Sequence, residues 1–326
     1  MAKIIANSFQ KRTKSFLAHL LVCFFVANNV AILYNLNMKT KFNRIYVEIT
    51  NNCNLNCDFC PKNNRTKQFM PVANFKHCLK QIDNLTNNIY LHVMGEPLLH
   101  PMLEEILKTA KQYGKNINLT TNGTLLSKNV EILKKGYLRK LTISLHSFEA
   151  NKSLASLEQY LSEVVSTVKQ ITSTTNTIVE FRLWNKDENN LSAKNSLNNK
   201  IIDFIAKSFN TQLNIDELQN NNTLAPNIFL GFDNKFTWPE QGNKNLATEH
   251  KFCYALRTHF AILVDGTVVP CCLDNNAAMP LGNIFNQNIS DILNSEKATQ
   301  IYQSFSNRIA TEPLCKQCEY AKRFDK

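Results

Sequence analysis

Residues 42–60 read FNRIYVEITNNCNLNCDFC, and the two halves of this stretch set the terms for the rest of the chain. Phe42 to Thr50 is rich in β-branched and aromatic residues, which predicts a strand. The strand delivers the chain to Cys53, Cys57 and Cys60 at C-x3-C-x2-C spacing. Three thiolates on one short loop can close around an iron–sulfur cluster, yet they supply only three of the four ligands that a cubane takes. One iron is left open, and an open coordination position is the mark of a metal centre that does chemistry. The alternative is a zinc site or a set of unpaired buried thiols.

Outward from this loop the sequence alternates between strand and helix patterns. Helical apolar spacing runs from Val72 to Leu85, Pro101 to Tyr113, Leu125 to Lys135, Ser153 to Ile171 and Lys200 to Phe209. Strands are expected at Asn88–Met94, Asn116–Thr121, Lys140–Leu145, Thr177–Trp184 and Asn227–Phe232. Up to six strands alternating with helices call for parallel pairing through right-handed crossovers, an α/β fold forming a partial (β/α)6 TIM-like barrel. Functional groups in such barrels sit at the C-terminal ends of strands. The cysteine loop, Gly95-Glu96-Pro97, Thr121-Asn122-Gly123 and Ser144 to Ser147 all fall there. A zinc site predicts no such convergence of four segments on one rim.

The cysteine spacing, with Phe59 just before the third thiol, resembles that of the radical S-adenosylmethionine (radical SAM) superfamily. The resemblance covers residues 42 to about 320 and implies a 4Fe–4S cluster on Cys53, Cys57 and Cys60 whose open iron chelates S-adenosylmethionine. It places Phe59 near the adenine. It makes Val93-Met-Gly95-Glu96-Pro97 the segment that binds the cofactor's amino group, with Met94 in place of a first glycine. Ser144 matches a hydroxyl set against the ribose or carboxylate, and His146 stands where relatives often carry Asp. Asn122 is a candidate cofactor contact or a plain turn residue. Arg182 shares a strand face with Glu180 and Trp184 if side chains alternate; inward it would clamp a carboxylate of cofactor or substrate, outward it is solvated.

A second cysteine group comprises Cys253, Cys271-Cys272, Cys315 and Cys318. His259–Val264 and Thr267–Cys271 read as strands of a hairpin turning at Asp265-Gly266, followed by a helix over Ser290–Phe305. Gly266-x4-Cys271 and Leu281-Gly-Asn-Ile resemble the SPASM or twitch extension of radical SAM enzymes. That likeness implies one auxiliary 4Fe–4S cluster closed by Cys253, Cys271, Cys315 and Cys318, with Cys271 and Cys272 interchangeable on sequence alone. Zinc is the competing ligand for this group too. Cys78 reads as a core residue, Cys23 has no assigned role, and Trp238 reads as packing or a substrate platform.

The chain of 326 residues, 44% hydrophobic and 19% charged, is long enough for a large core and a second small domain. We divide it into an N-terminal extension (1–37), a barrel core (38–240) and an α+β auxiliary-cluster domain (241–326). Ten cysteines clustered in this way favour metal binding in a reducing cytoplasm over a secreted disulfide framework. The net charge of +11 is spread along the chain with no dense basic helix, so nucleic acid is not indicated as a partner. Residues 1–37 are basic and then apolar, with Asn28-Asn29 near the middle. They read either as an inner-membrane anchor or as sequence upstream of a start at Met38.

The expectation is therefore a radical SAM oxidoreductase or maturase that cleaves S-adenosylmethionine reductively and abstracts hydrogen from a peptide, protein or small-molecule substrate. Its electrons would come from a donor such as flavodoxin or ferredoxin. The rivals are a small-molecule sugar or alcohol dehydrogenase of the same superfamily and a non-catalytic zinc-binding scaffold.

Overall fold

Alternation along each strand sorts apolar from polar side chains, and this sorting builds the molecule. The computed structural model describes residues 42–61, 64–151, 156–186, 196–213, 221–234, 237–239 and 247–324. The strands β1 (Arg44–Val47), β2 (Asn88–Tyr90), β3 (Asn116–Thr121), β4 (Leu138–Ser144) and β5 (Ile178–Lys186) follow one another in the chain. Between them come α1 (Val72–Gln81), α2 (Leu103–Gln112), α3 (Val130–Leu133) and α4 (Leu157–Thr174), and α5 (Ser196–Ser208) follows β5. On one face Ile45, Val47, Ile89, Ile117, Leu119, Leu141, Ile143, Val179, Phe181 and Leu183 are all buried. Burying each such side chain is worth about 1.5–3 kcal/mol, so the helices pack there. The other parity carries Tyr46, Glu48, His92, Thr142, Ser144, Glu180 and Arg182, and it forms a polar interior.

A hairpin of β6 (Asn221–Ala225) and β7 (Ile228–Asn234) completes one edge, with β7 parallel to β5 and antiparallel to β6. At the other edge β8 (His259–Ile262) lies parallel to β1, followed by the antiparallel β9 (Thr267–Val269) and β10 (Gly282–Asn283). The full order is β10-β9-β8-β1-β2-β3-β4-β5-β7-β6, a ten-stranded sheet that remains open. β1 to β5 and β7 are the six parallel strands of the expected partial barrel, and β8 adds a seventh parallel strand beside β1. The auxiliary segment's hairpin continues the barrel's own sheet. At its turn Gly266 has φ +85°, and a Cβ there would meet the Phe285 ring at 2.5 Å, so only glycine fits.

Three expectations about elements need correction. The helix expected over Leu125–Lys135 is a 3-10 turn, Ser127–Asn129, and the single-turn α3, because the Asn129 amide donates to the carbonyls of Leu125 (2.9 Å) and Leu98 (3.3 Å). The helix expected over Ser290–Phe305 breaks into α6 (Ile289–Leu293) and α7 (Glu296–Ser306), since Ser295 Oγ caps the second by accepting from Ala298 N. Strand β6 was not expected; its Asn-rich sequence becomes a strand through pairing with β7 across Pro226-Asn227, Asn227 taking φ 60°. A short helix, α8 (Pro313–Gln317), follows α7. Residues 1–37, Cys23 and the boundary at 240/241 lie outside the described residues. Among the described residues no helix is long and apolar enough to cross a membrane.

Candidate active site

A cavity of about 1090 Å³ occupies the polar interior of the barrel, and both cysteine groups line it. All four rim segments read from the sequence reach it: the cysteine loop, Gly95-Glu96, Thr121-Asn122 and Ser144 to Ser147. Trp238 lines it as well.

The cysteine loop is pinned by its neighbours. Glu96 N donates to Asn52 O at 2.7 Å, and Gly95, at φ +84°, lies so close to the loop's leading backbone that a Cβ would sit 2.5 Å from Thr50 O. Both carboxylate oxygens of Glu96 accept backbone N–H groups, from Leu98 at 3.0 Å and Asn122 at 2.7 Å. Burial pushes this carboxyl up to about 7 against those hydrogen bonds. Glu96 thus ties the β2 rim to the β3 rim. Asn122 Nδ2 donates to Asn54 Oδ1 at 3.0 Å and lies 3.9 Å from Cys53 Sγ. Within the loop Cys60 N donates to Cys57 O at 3.2 Å. The Cys60 thiol beside it lowers Cys57 to about 7, while Cys60 itself is raised.

Phe59 and His146 are brought together, ring centroids 5.0 Å apart. The His146 Nδ1 lies 3.1 Å from Arg182 O and 3.4 Å from Trp184 N. The carbonyl suits a protonated Nδ1 and the Trp184 N–H an unprotonated one, so the two contacts belong to opposite tautomers. Strand register sets Thr142 beside Glu180 and Ser144 beside Arg182. Glu180 pairs with Lys140 at 3.0 Å, and Arg182 Nη2 donates to Ser144 Oγ at 2.8 Å. The Arg182 guanidinium also lies over the Trp184 ring at 3.9 Å. Arg182 therefore faces inward, and burial lowers it to about 10. Its Nε and His92 Nδ1 are buried without hydrogen-bond partners, and both residues line the cavity.

Burial, reinforced by the Arg182 charge, lowers His146 and His92 to about 3. Each is neutral in the folded protein at pH 7. Because the folded value lies below the unfolded one, this stability is complete above pH 6.5 and is lost as pH falls towards the folded value. For His146, which is 7% exposed, we expect up to about 2 kcal/mol lost between pH 6.5 and 5. Urea unfolding at the two pH values should show that loss, and His146→Asn should remove its share.

The second cysteine group lines the same cavity. Cys318 N donates to Cys315 O at 3.2 Å, the same turn as Cys57–Cys60. Lys251, 3% exposed, holds that turn by donating to the carbonyls of Cys315, Lys316 and Cys318. Burial raises both the Cys271 and the Cys272 thiols; Cys271 feels Cys272, Cys253, Cys315 and Cys318, and Cys272 bonds to the Tyr46 side chain while also feeling Arg44 and Cys318. Cys78 is wholly buried in α1, as expected.

Among the described residues no three His, Cys, Asp or Glu side chains converge as a single metal ion requires. Three thiols on one loop and four in the second group are the donor sets that an open and a closed 4Fe–4S cluster take. Sequence reasoning missed Glu48, Asn151 and Lys251. Only Glu48 left a signal, its inward parity in β1.

The same organisation appears in known proteins. A radical SAM superfamily model matches residues 47–181, and a SPASM model, an iron–sulfur cluster-binding domain, matches residues 253–319. A GTP 3',8-cyclase of Aquifex aeolicus is 33% identical over 132 residues, which are 37% of this chain and 41% of that protein. The match thus spans about two-fifths of the cyclase. An uncharacterized protein of Methanocaldococcus jannaschii is 26% identical over 255 residues, 75% of this chain and 89% of its own length. Among solved structures, BtrN in complex with AdoMet and 2-DOIA has a TM-score of 0.54 at 19% identity, covering 85% of this chain and 93% of that one. Streptococcus suis SuiB bound to S-adenosylmethionine has 0.56 at 16%, covering 88% and 75%. The two matched families imply 4Fe–4S clusters and S-adenosylmethionine as cofactors. With both matched in this order, the chain belongs to the radical SAM superfamily and carries a C-terminal SPASM iron–sulfur cluster-binding domain.

Proposed function

We propose that this enzyme abstracts hydrogen from a substrate group held between the two cysteine walls of the barrel cavity. The observation that carries the reading is that Cys53, Cys57 and Cys60 share one cavity with Cys253, Cys271, Cys315 and Cys318. The first three would hold a cluster with one open iron and the other four a closed one. A cluster on Cys53, Cys57 and Cys60, with S-adenosylmethionine beside it, would supply one-electron radical chemistry for hydrogen abstraction. Around it, Gly95 lets the β2 rim lie against the cysteine loop, Phe59 and His146 form an aromatic wall, and Arg182 with Ser144 offers N–H and O–H donors to a carboxylate. Asn122 steadies the cysteine loop. The neutral histidines keep the wall free of competing charge.

The closed second site suits electron uptake from the product, which makes the reaction an oxidation or a crosslink. We favour a peptide or protein side chain as substrate, with electrons from a flavodoxin or ferredoxin. SuiB, which has been solved with a precursor peptide, shares the fold. A small alcohol or sugar is the second reading, favoured by the polar side chains of Tyr46, His92, Thr142 and Glu180 in the cavity lining. Anaerobic protein given dithionite and S-adenosylmethionine should form 5'-deoxyadenosine at once. No deoxyadenosine from fully iron-loaded protein would overturn the reading.

A further inference from the structure

The Cys57 thiol has a side-chain amide of its own. Asn151, 9% exposed, follows the turn after β4, and its Nδ2 lies 3.1 Å from Cys57 Sγ and 2.7 Å from Ser147 O. Its Oδ1 accepts from Asn56 N at 3.0 Å. The two backbone partners fix which way the amide points. Asn56 N–H needs an acceptor and Ser147 C=O a donor, so a flipped amide would fail both. The N–H on the sulfur is therefore dictated by the backbone, independently of the sulfur.

The support beneath it is rigid. Asn151 N donates to Phe148 O at 3.1 Å, and Ser147 Oγ donates to Ser144 O at 2.6 Å. The turn carrying the amide is thus tied to the same β4 end that presents Ser144 and His146. Cys53 takes the backbone N–H of Leu55 at 3.5 Å and the Asn122 amide at 3.9 Å, and that amide also serves Asn54. Cys57 has the shorter contact.

Hydrogen bonds to ligating sulfurs tune the potential of iron–sulfur clusters, because they stabilise the more negative, reduced state. We propose that Asn151 is a positioning residue that raises the reduction potential of the cluster on Cys53, Cys57 and Cys60 by donating its amide N–H to Cys57. This rests on the reading of that loop as a cluster site. It also makes electron delivery to the cluster depend on a residue outside the cysteine motif.

The test is an anaerobic redox titration of the reconstituted protein followed by electron paramagnetic resonance. The first cluster's signal is assigned by its loss when Cys53, Cys57 and Cys60 are replaced together by Ala. In Asn151→Ala, and in Asn151→Ser, whose hydroxyl is too short to reach the sulfur, its midpoint should shift to lower potential. The auxiliary signal should not move, and Asn151→Gln, which keeps an amide, should recover part of the shift. An unshifted midpoint in an iron-loaded variant would overturn the proposal. So would loss of the cluster from both Ala and Ser variants, which assigns Asn151 to loop support alone. Wild-type protein that binds no iron at this loop is a separate result, and it refutes the cluster reading itself.

Discussion

Gly95→Ala is expected to destabilise the protein by about 2–5 kcal/mol, the sum of left-handed backbone strain and overpacking. Its φ is +84°, and the added Cβ would fall 2.5 Å from Thr50 O, 2.8 Å from Asn52 O and 3.0 Å from Asn51 Cα. All three are backbone atoms of the segment that leads into the cysteine loop, so no flexible side chain can move aside. Relief would push the β2 rim away from the loop and stretch the 2.7 Å bond from Glu96 N to Asn52 O. S-adenosylmethionine binding should be lost together with stability. Gly114→Ala is the matched control: its φ is +64°, and nothing lies within 4 Å of an added Cβ. It should cost only the backbone strain, about 1–2 kcal/mol. Equal losses from the two variants, read by urea unfolding, would contradict the close-approach argument.

Glu48→Ala should cost about 3–5 kcal/mol, the range for breaking a buried ion pair from one side. The Glu48 side chain is fully buried, 2.7 Å from Arg65 Nη2. Its carboxylate also accepts from Met94 N at 3.0 Å and Val264 N at 2.9 Å. Burial raises its carboxyl even against the Arg65 charge. One side chain therefore joins β1, the loop before Gly95 and the hairpin that leads to Cys271. Its removal leaves Arg65 without its carboxylate and two backbone donors without their acceptor. A chelator should then draw iron faster from both cysteine groups. Glu48→Gln keeps one carbonyl oxygen and should cost less. A change below about 1 kcal/mol in Glu48→Ala would show that the hub is dispensable.

Much of this arrangement was legible from residue order. Runs of β-branched and aromatic residues marked the first strand, and the Asp265-Gly266 turn marked the hairpin. The four rim segments were placed together by the rule that parallel strands end at one rim. What the sequence did not reveal depends on partners distant in the chain. Asn151 meets Cys57 across 94 positions, and Glu48 meets Val264 across 216. Lys251 caps a turn 64 to 67 residues away. A lone Asn or Lys carries no pattern that announces such a contact. Local competition hid the rest: Asn129 diverts backbone carbonyls and shortens a helix, while Ser295 starts a new one.

Counting iron in anaerobically reconstituted protein tests the two-site account most directly. We predict about eight irons per chain, two clusters of four, with about four lost when Cys53, Cys57 and Cys60 are replaced by Ala and the other four retained. Zinc in place of iron, or a complement of about four irons that the triple replacement leaves untouched, would contradict it.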